Sequence, residues 1–514
     1  MHAHQDKNTA GSGELDAASG VALAAAPAGN PGPLSALWSS LVAGSEVSAR
    51  TRRAVLDPDD GAIVAEVGLA DPAQAEDALA AAARAATGRY SWPEDRRAAS
   101  LLNASRAVRE RNAEFAALIA AEGIKTLSEA HAEVKRTAHT LALSAAAVHR
   151  AGPGVPSAGD RPTTRGWRAG LRQEPVGVVV AITPFNDPLN LVAHKLGPAL
   201  AAGNAVIVKP DPRTPLSALL LARVLLDATV PLDRLSVLAG DGELVNQLVA
   251  DRRVRFVNFT GGRNIGALVH AAAGTKRTLL ELGGVCPTIV WEDADLDIAV
   301  PELLAGAVAA AGQNCLHVQR ILVHRRRYDE LRERLAAAIG DVRLGRKDDP
   351  NTQMGPLIDT AAKRRVSTLL DGARHAGATI LTGGRETHSG YLPTLITDLP
   401  DRAALTTTEI FGPVTTIEPV DDLTHCLHKA NSGDGALQAG VLSRREDVIE
   451  ALVAGLDTGS VVIGGTSNHR SDALPFGGTG QAGIGREGVS SATDAMSELK
   501  TVLRLPPARA KTFS

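Results

Sequence analysis

Residues 177–184 read GVVVAITP, a continuous apolar run rich in valine. A run without polar alternation suits a strand buried on both faces. A helical stretch follows it through Ala201, and NAVIVKP (residues 204–210) is a second strand of the same kind. The pattern then repeats: PLSALLLARVLLDA (215–228) as a helix, RLSVLA (234–239) as a strand, GELVNQLVA (242–250) as a helix and VRFVNF (254–259) as a strand. Such alternation predicts a parallel sheet covered by helices on both faces. This is the doubly wound α/β arrangement, which binds a dinucleotide at the carboxyl ends of its strands.

Working outward, VLDPDDGAIVAEVGL (55–69) reads as two short strands around an Asp-Gly turn, and residues 72–86 and 92–121 are Ala-rich with helical spacing. A second alternation begins at Pro287: PTIVWE, the helix-like IAVPELLAGAVAAA (298–311), RILVH (320–324), then a charged helix over 328–339. The terminal MSELKTVLRL (496–505) alternates apolar and polar residues like an exposed strand, with the Arg-rich residues 161–174 as its companion. The expected organisation is a dinucleotide-binding domain over 36–160 and 176–284, an α/β catalytic domain over 285–480 and a β arm over 161–175 and 495–508. Residues 1–35, rich in Ala, Gly, Ser, Asp and Pro, read as a disordered leader, with His2 and His4 as chance occurrences rather than ligands.

A chain of 514 residues with 44% hydrophobic and 22% charged residues supports large cores, and a net charge of −3 gives no electrostatic reason to expect nucleic acid or an anionic membrane. Small-molecule chemistry is the expectation. Cys286, Cys315 and Cys426 lie far apart and lack the paired spacing of a zinc site, so they read as free thiols in a reducing, cytoplasmic compartment, with no metal. No apolar run reaches the ~18 residues of a spanning helix. Aromatic residues are only 3%, too few for the aromatic walls of a greasy pocket.

Three segments carry candidate chemistry. FTGGRNIG (259–266) follows a strand and opens a helix, where glycines let backbone amides approach a phosphate, although its spacing departs from GxGxxG. Cys315 lies in the small-residue run AAAGQNCLHVQR, and Glu281 follows the apolar TLL and precedes Gly283 and Gly284, at a strand end facing a crevice. A thiol needs help from backbone amides or a helix terminus to ionise near neutrality. Asn186, in ITPFNDP, is either a turn residue or an amide donor for an oxyanion, and Lys209 either a surface lysine or a group meeting a cofactor ribose or phosphate.

EPVGVVVAITPFN, GNAVIVKP, FTGG, ELGG, GQNC, EIFGP and LPFGG occur here in the order found in aldehyde dehydrogenases, and the chain resembles that superfamily from about Val55 to Leu505. The resemblance implies a hydrolytic NAD(P)-dependent enzyme that self-associates as a dimer or tetramer. It makes Cys315 the nucleophile, Asn186 an oxyanion donor beside the Cys315 amide, Glu281 the general base and Lys195 an electrostatic neighbour. It also implies a cofactor site. Thr183, Pro184 and Phe185 would line it at one strand end, and Lys209, Asp211 and Pro212 at the next. Gly261, Gly262 and Gly266 form its glycine turn, with Leu282 beside them, and Glu409 would hold the nicotinamide ribose with Phe411 nearby.

Two departures bear on specificity. NAD-preferring relatives commonly carry Glu where this chain has Pro212, which removes a barrier to a 2′-phosphate, and Arg213 lies close enough to suggest attraction; NAD and NADP both stay open. In the substrate tunnel, positions often aromatic in relatives are Asp187, His194 and Arg470, with Asn314 and Leu316 flanking the nucleophile and Phe476 six residues past Arg470. These suggest a small polar or anionic aldehyde, and PFNDPLNLVAHKLGPALAAGN resembles the branch handling lactaldehyde, phosphonoacetaldehyde and sulfoacetaldehyde. KPDPRTP resembles benzaldehyde-type enzymes, an alternative that the low aromatic content disfavours. A catalytically inactive homologue is the alternative of another class, disfavoured by the joint presence of Cys315, Asn186, Glu281 and Glu409.

Overall fold

The computed structural model describes residues 37–88, 91–149 and 167–505. The leader expected over 1–35, with His2 and His4, lies outside the described residues, as do 161–166 and 506–508 of the expected arm.

Five parallel strands form the middle of an eight-stranded sheet, in the spatial order Arg277–Glu281, Val254–Thr260, Val178–Ile182, Ala205–Lys209, Leu235–Val237. Every residue of Val178–Ile182 and Ala205–Lys209 is buried, which is why their sequences show no alternation. Helices Asn190–Ala201, Leu216–Asp227, Gly242–Ala250 and Arg263–Ala273 connect or follow them as predicted. Strand order reverses at Val178–Ile182, so a crevice opens at its carboxyl end toward Val254–Thr260.

Thr51–Leu56 and Ile63–Leu69 pair as the predicted antiparallel strands. The helical stretch read over 92–121 is in fact two helices, Glu94–Glu110 and Asn112–Glu122. The break is at Arg111, which leaves helical geometry while its guanidinium holds Glu114 in the first turn of the second helix at 2.7 and 2.9 Å. The helix Leu127–Ala147 is absent from the sequence reading. It opens on a capping box between Thr126 and Glu129, but it buries Glu133, Thr137, Thr140 and Ser144 beside Val134 and Leu141, so no clean apolar face shows in the sequence.

The second sheet has seven strands: Thr379–Thr382, Thr394–Thr397, Val414–Val420, Arg320–His324, Pro287–Val290, Ala436–Leu442 and Thr458–Ile463, parallel except for the first pair. Helices Leu296–Val308 and Arg325–Gly340 stand close to the predicted positions. Ser497–Arg504 pairs antiparallel with Arg168–Pro175, the companion segment read from the sequence. Before that, Gly483–Ile484 returns from the second sheet to pair with Glu281 and Leu280 on the edge of the first. The carboxyl end of the first sheet is thereby roofed by the C-terminal part of the second. Among the described residues no helix is long and apolar enough to cross a membrane, and no group of His, Cys, Asp or Glu is arranged to hold a metal ion.

The second sheet also buries an ion cluster. Arg320 grips Glu418 at 2.8 and 3.2 Å and donates to the Lys429 carbonyl at 2.8 Å, while the Lys429 ammonium reaches Glu418 at 3.0 Å. Removing the carboxylate strands the buried Arg320 and leaves Lys429 with Asp401 alone, at 2.6 Å. Glu418→Ala is expected to destabilise the protein by about 3 kcal/mol, read as a lowered denaturation midpoint at unchanged slope. A midpoint within error of the parent would contradict this view of the cluster.

Candidate active site

The strand-end crevice is lined by polar groups without protein partners. Thr183 is buried and its Oγ1 has no hydrogen bond. Lys209 is 7% exposed and makes no side-chain hydrogen bond among the described residues; burial pushes its pKa down, against Asp211 and Asp241. Glu409 has a buried, unpartnered Oε1, and burial pushes its carboxyl up to about 8, opposed by Arg263 and Arg365. An added Cβ at Gly283 would meet Glu409 Oε2 at 2.6 Å, so a glycine there makes room for that carboxylate. Unpaired buried polar groups cost roughly 1–3 kcal/mol each and call for an explanation. A dinucleotide's hydroxyls and phosphates would satisfy these, so the residues fit that cofactor.

The glycines divide by role. Gly262 caps the Arg263–Ala273 helix, and a Cβ there would meet nothing within 4 Å, which leaves the helix terminus open to an anion. At Gly266 a Cβ would lie 2.2 Å from Leu282 Cδ2, so this glycine serves close packing of helix on strand end. Phe411 has φ +48°, its carbonyl and that of Ile410 are held by Arg365 at 2.9 and 3.1 Å, and its ring meets Phe185 edge-on with centroids 5.8 Å apart. Beside Pro212, Arg213 differs from expectation. Its fork is taken by Asp211 at 2.8 and 2.9 Å and by Asp359 at 2.8 Å, and it stacks on Phe185, so its donors are committed within the protein.

Cys315 projects from a tightly bound turn. Ala310, Ala311 and Gly312 have φ of 50°, 53° and 67°, and a Cβ on Gly312 would run into the Gly412 carbonyl at 2.2 Å. Gln313, fully buried, bonds the Ala310 and Pro356 carbonyls and the Ile358 amide. Asn314 donates to the Ala309 carbonyl at 3.2 Å and accepts from the Leu316 amide at 3.0 Å, so it shapes the turn. The Cys315 side chain packs with Cys286, Leu316, Leu437, Phe476 and Ala482. Burial pushes its thiol well above the ordinary value; the charge opposing this is Arg470, while Cys286, Glu409 and Glu281 add to it. Among the charges acting on it, Arg470 is the one that favours the thiolate.

Glu281 is the last residue of Arg277–Glu281, and both its carboxylate oxygens are buried without partners. Burial pushes its carboxyl well above the usual range and nearby Glu487 adds to this, against Arg470, Lys195 and Arg486. Lys195 does not pair with it; its ammonium is held by Asn258, Thr260 and Glu487 at 2.8, 2.7 and 2.9 Å. Arg470 donates to Glu487 at 2.8 Å, lies 4.1 Å over the Phe476 ring and keeps a buried, unpartnered Nε. Its side chain is 10% exposed, so although SNHRSD is a polar string, Arg470 faces inward.

Asn186 is buried and its amide makes no side-chain hydrogen bond among the described residues. Its loop is anchored next door. Asp187 pairs with Lys125 and with Arg136 at 3.3 Å, and Glu133 accepts the Leu189 and Asn190 amides at 2.9 Å each. Burial tends to raise the Asp187 pKa, but Lys125 and Arg136 hold it below the usual value. His194 is fully enclosed, kept neutral by burial and by Arg470, and bonded to Asp472 at 2.8 Å; Asp472 in turn grips Arg136 at 2.9 Å. Asp187 and His194 thus belong to a buried ion network behind the tunnel, and His194 has no exposed atom to offer a substrate. Lys125, Glu133, Arg136, Asp472 and Glu487 were missed. The Thr126–Glu129 capping box was the available signal for the first three, and none stood out for Glu487.

This geometry agrees with what the chain is similar to. The aldehyde dehydrogenase family model matches residues 45–502. An aspartate-semialdehyde dehydrogenase of Pseudomonas canavaninivorans is 38% identical over 87% of this chain and 95% of its own. A 3-sulfolactaldehyde dehydrogenase of Priestia aryabhattai is 36% identical over 85% of this chain and 92% of its own. A solved glyceraldehyde-3-phosphate dehydrogenase from Methanocaldococcus jannaschii, complexed with NADP, superposes with a TM-score of 0.85 at 32% identity, covering 88% of this chain and 99% of that one. The chain belongs to the aldehyde dehydrogenase family. It is an NAD(P)-dependent aldehyde dehydrogenase, an oxidoreductase whose cofactor is NAD or NADP.

If Arg470 is the charge that favours the Cys315 thiolate, Arg470→Gln should slow alkylation of Cys315 by iodoacetamide at neutral pH by roughly tenfold and move its pH profile upward. An unchanged rate and profile would rule that out.

Proposed function

We propose that the protein oxidises a small anionic aldehyde to its carboxylic acid through a covalent intermediate on Cys315. The observation that carries this reading is Arg470. It is a buried guanidinium felt electrostatically by Cys315, and its Nε makes no hydrogen bond, with the Asp472 carboxylate 4.0 Å away. A carboxylate, sulfonate or phosphonate on the substrate fits that donor. The three relatives named above carry, in their substrates' names, a carboxylate, a sulfonate and a phosphate, which supports the same class.

The Cys315 sulfur adds to the aldehyde carbon, giving a thiohemiacetal. The charge that develops on the carbonyl oxygen is met by the Asn186 amide and the Cys315 N–H, donors worth about 3 kcal/mol each in barrier terms. Lys209, Thr183 and Glu409 would hold NAD or NADP, which when bound would supply the hydride acceptor needed to oxidise the thiohemiacetal to a thioester. Glu281 then takes a proton from the water that releases the acid. Neither of its oxygens has a protein hydrogen-bond partner, so both are free to accept from that water. The paired arm strands, with Leu499 and Leu503 about half exposed, support self-association as a dimer or tetramer, and three free cysteines support a reducing, cytoplasmic setting.

A base must first lose its own proton. Because Glu281 is pushed up, turnover should rise as pH increases through its titration and level off above it. Glu281→Gln is expected to give a single burst of NAD(P)H, with steady-state turnover lower by about 10²- to 10⁴-fold and without that pH dependence. Full turnover in this variant would remove Glu281 from the role.

For the substrate class, Arg470→Ala should lower kcat/KM on a phosphonate- or carboxylate-bearing aldehyde by about 10- to 100-fold more than on propanal. Taking the ratio cancels any shared effect on Cys315. Equal losses on both substrates would leave anion recognition at Arg470 untenable.

A further inference from the structure

The mechanism above uses one of three cysteines. Cys426 lies in a separate apolar cluster with Ile289, Trp291 and Leu452. Cys286 does not: it is fully buried directly behind the nucleophile, and its thiol donates to the Cys315 carbonyl at 3.4 Å. Both sulfurs belong to the same small cluster, closed by Leu316, Leu437, Phe476 and Ala482. Of the three, only Cys315 is partly exposed, so a reagent entering the tunnel meets it first.

We propose that Cys286 is a resolving thiol, which closes an intramolecular disulfide with Cys315 when a peroxide oxidises the nucleophile. The chemistry balances in two steps. The Cys315 thiol and a hydroperoxide give a sulfenic acid and water or an alcohol, so sulfur is oxidised by two electrons and the O–O bond is reduced. The Cys286 sulfur then attacks the sulfenic sulfur; an S–S bond forms, the S–O bond breaks, and the hydroxyl leaves with the thiol proton as water. A thiol reductant reverses the bond by exchange.

A disulfide needs its Cα atoms within ~7 Å and a specific torsion, so some adjustment of the chain is required. Cys315 extends from the tightly bound turn at 310–312, so the adjustment falls to the Cys286 segment, which follows Gly283, at φ +76°, and Gly284. Burial pushes the Cys286 thiol up to about 12, but the backbone amides of Gln438 and Leu437 point at its sulfur and favour the thiolate form. The disulfide would block the active site while protecting Cys315 from further, irreversible oxidation.

The test uses the full-length enzyme, reduced, desalted and exposed to hydrogen peroxide, then alkylated and digested without reductant. The expected result is a peptide pair joined through Cys286 and Cys315, with activity lost and then restored by dithiothreitol. Cys286→Ser, which keeps the size and a donor, should lose activity to peroxide as well. In that variant dithiothreitol should restore almost none of it, and Cys315 should be found as sulfinic acid. No joined peptide in the parent, or equal recovery in parent and variant, overturns the proposal. The activity readout rests on Cys315 being the nucleophile, whereas the joined peptide does not. A joined pair with activity retained would therefore support the disulfide and sink the catalytic reading instead.

Discussion

The site is governed by a shortage of positive charge. Cys315, Glu281 and Glu487 are enclosed near one another; Arg470 acts on all three, Lys195 on the two carboxylates and Arg486 on Glu281. Burial disfavours the charged form of each acidic group, so they compete for these cations. The geometry settles the competition in favour of Glu487: it takes hydrogen bonds from both Lys195 and Arg470 and is held far below the usual carboxylate range despite its burial. Glu281 receives neither bond and is left to protonate. The acid proposed to take a proton from water is the one from which the partners have been withheld.

That allocation depends on the fold at a few points. Lys195 comes from the helix after the first strand of the parallel sheet, and Glu281 from the end of the edge strand Arg277–Glu281. Arg470 and Glu487 come from the segment that leaves the second sheet and, through Gly483–Ile484, pairs back onto Glu281. The antiparallel closure therefore brings the guanidinium and the acceptor to the same strand end. Gly477 matters in the same place, because a side chain there would approach Glu281 Oε1 to 2.9 Å.

The sheet that carries the site was legible because its strands are buried on both faces, so their sequences are unbroken apolar runs. Cys315, Glu281 and Asn186 were singled out through the resemblance, and Glu281 and Asn186 also through their positions at strand ends. The supporting charges were not. The Leu127–Ala147 helix turns Glu133 and Thr137 inward, against the usual segregation of polar and apolar faces. Arg470 sits in SNHRSD, a polar string that reads as surface, and only the tertiary closure buries it. Arg213 illustrates the opposite error: its proximity in sequence suggested a role toward a phosphate, whereas Asp211 and Asp359 occupy its fork. Sequence reports which residues lie near a strand end, not which partner each one finds.

The unpartnered groups then acquire a common explanation. Thr183 Oγ1, Glu409 Oε1, Arg470 Nε and both oxygens of Glu281 are buried without hydrogen bonds, while a few residues away Glu133, Gln313 and Glu487 are each bonded. Arg97, His194, Thr214, Ser217 and Asn258 each carry one such atom as well, so the pattern is not confined to the site. The groups named first are nonetheless of the kind a ligand would need: acceptors for ribose hydroxyls and water, a donor for an anion. Leaving each one unpaired costs stability of roughly 1–3 kcal/mol. The network of Lys125, Glu133, Arg136, Asp187 and Asp472 ties down the segment that follows Asn186, through the Asp187 ion pairs and the Leu189 and Asn190 amides, and so braces the loop that carries that amide.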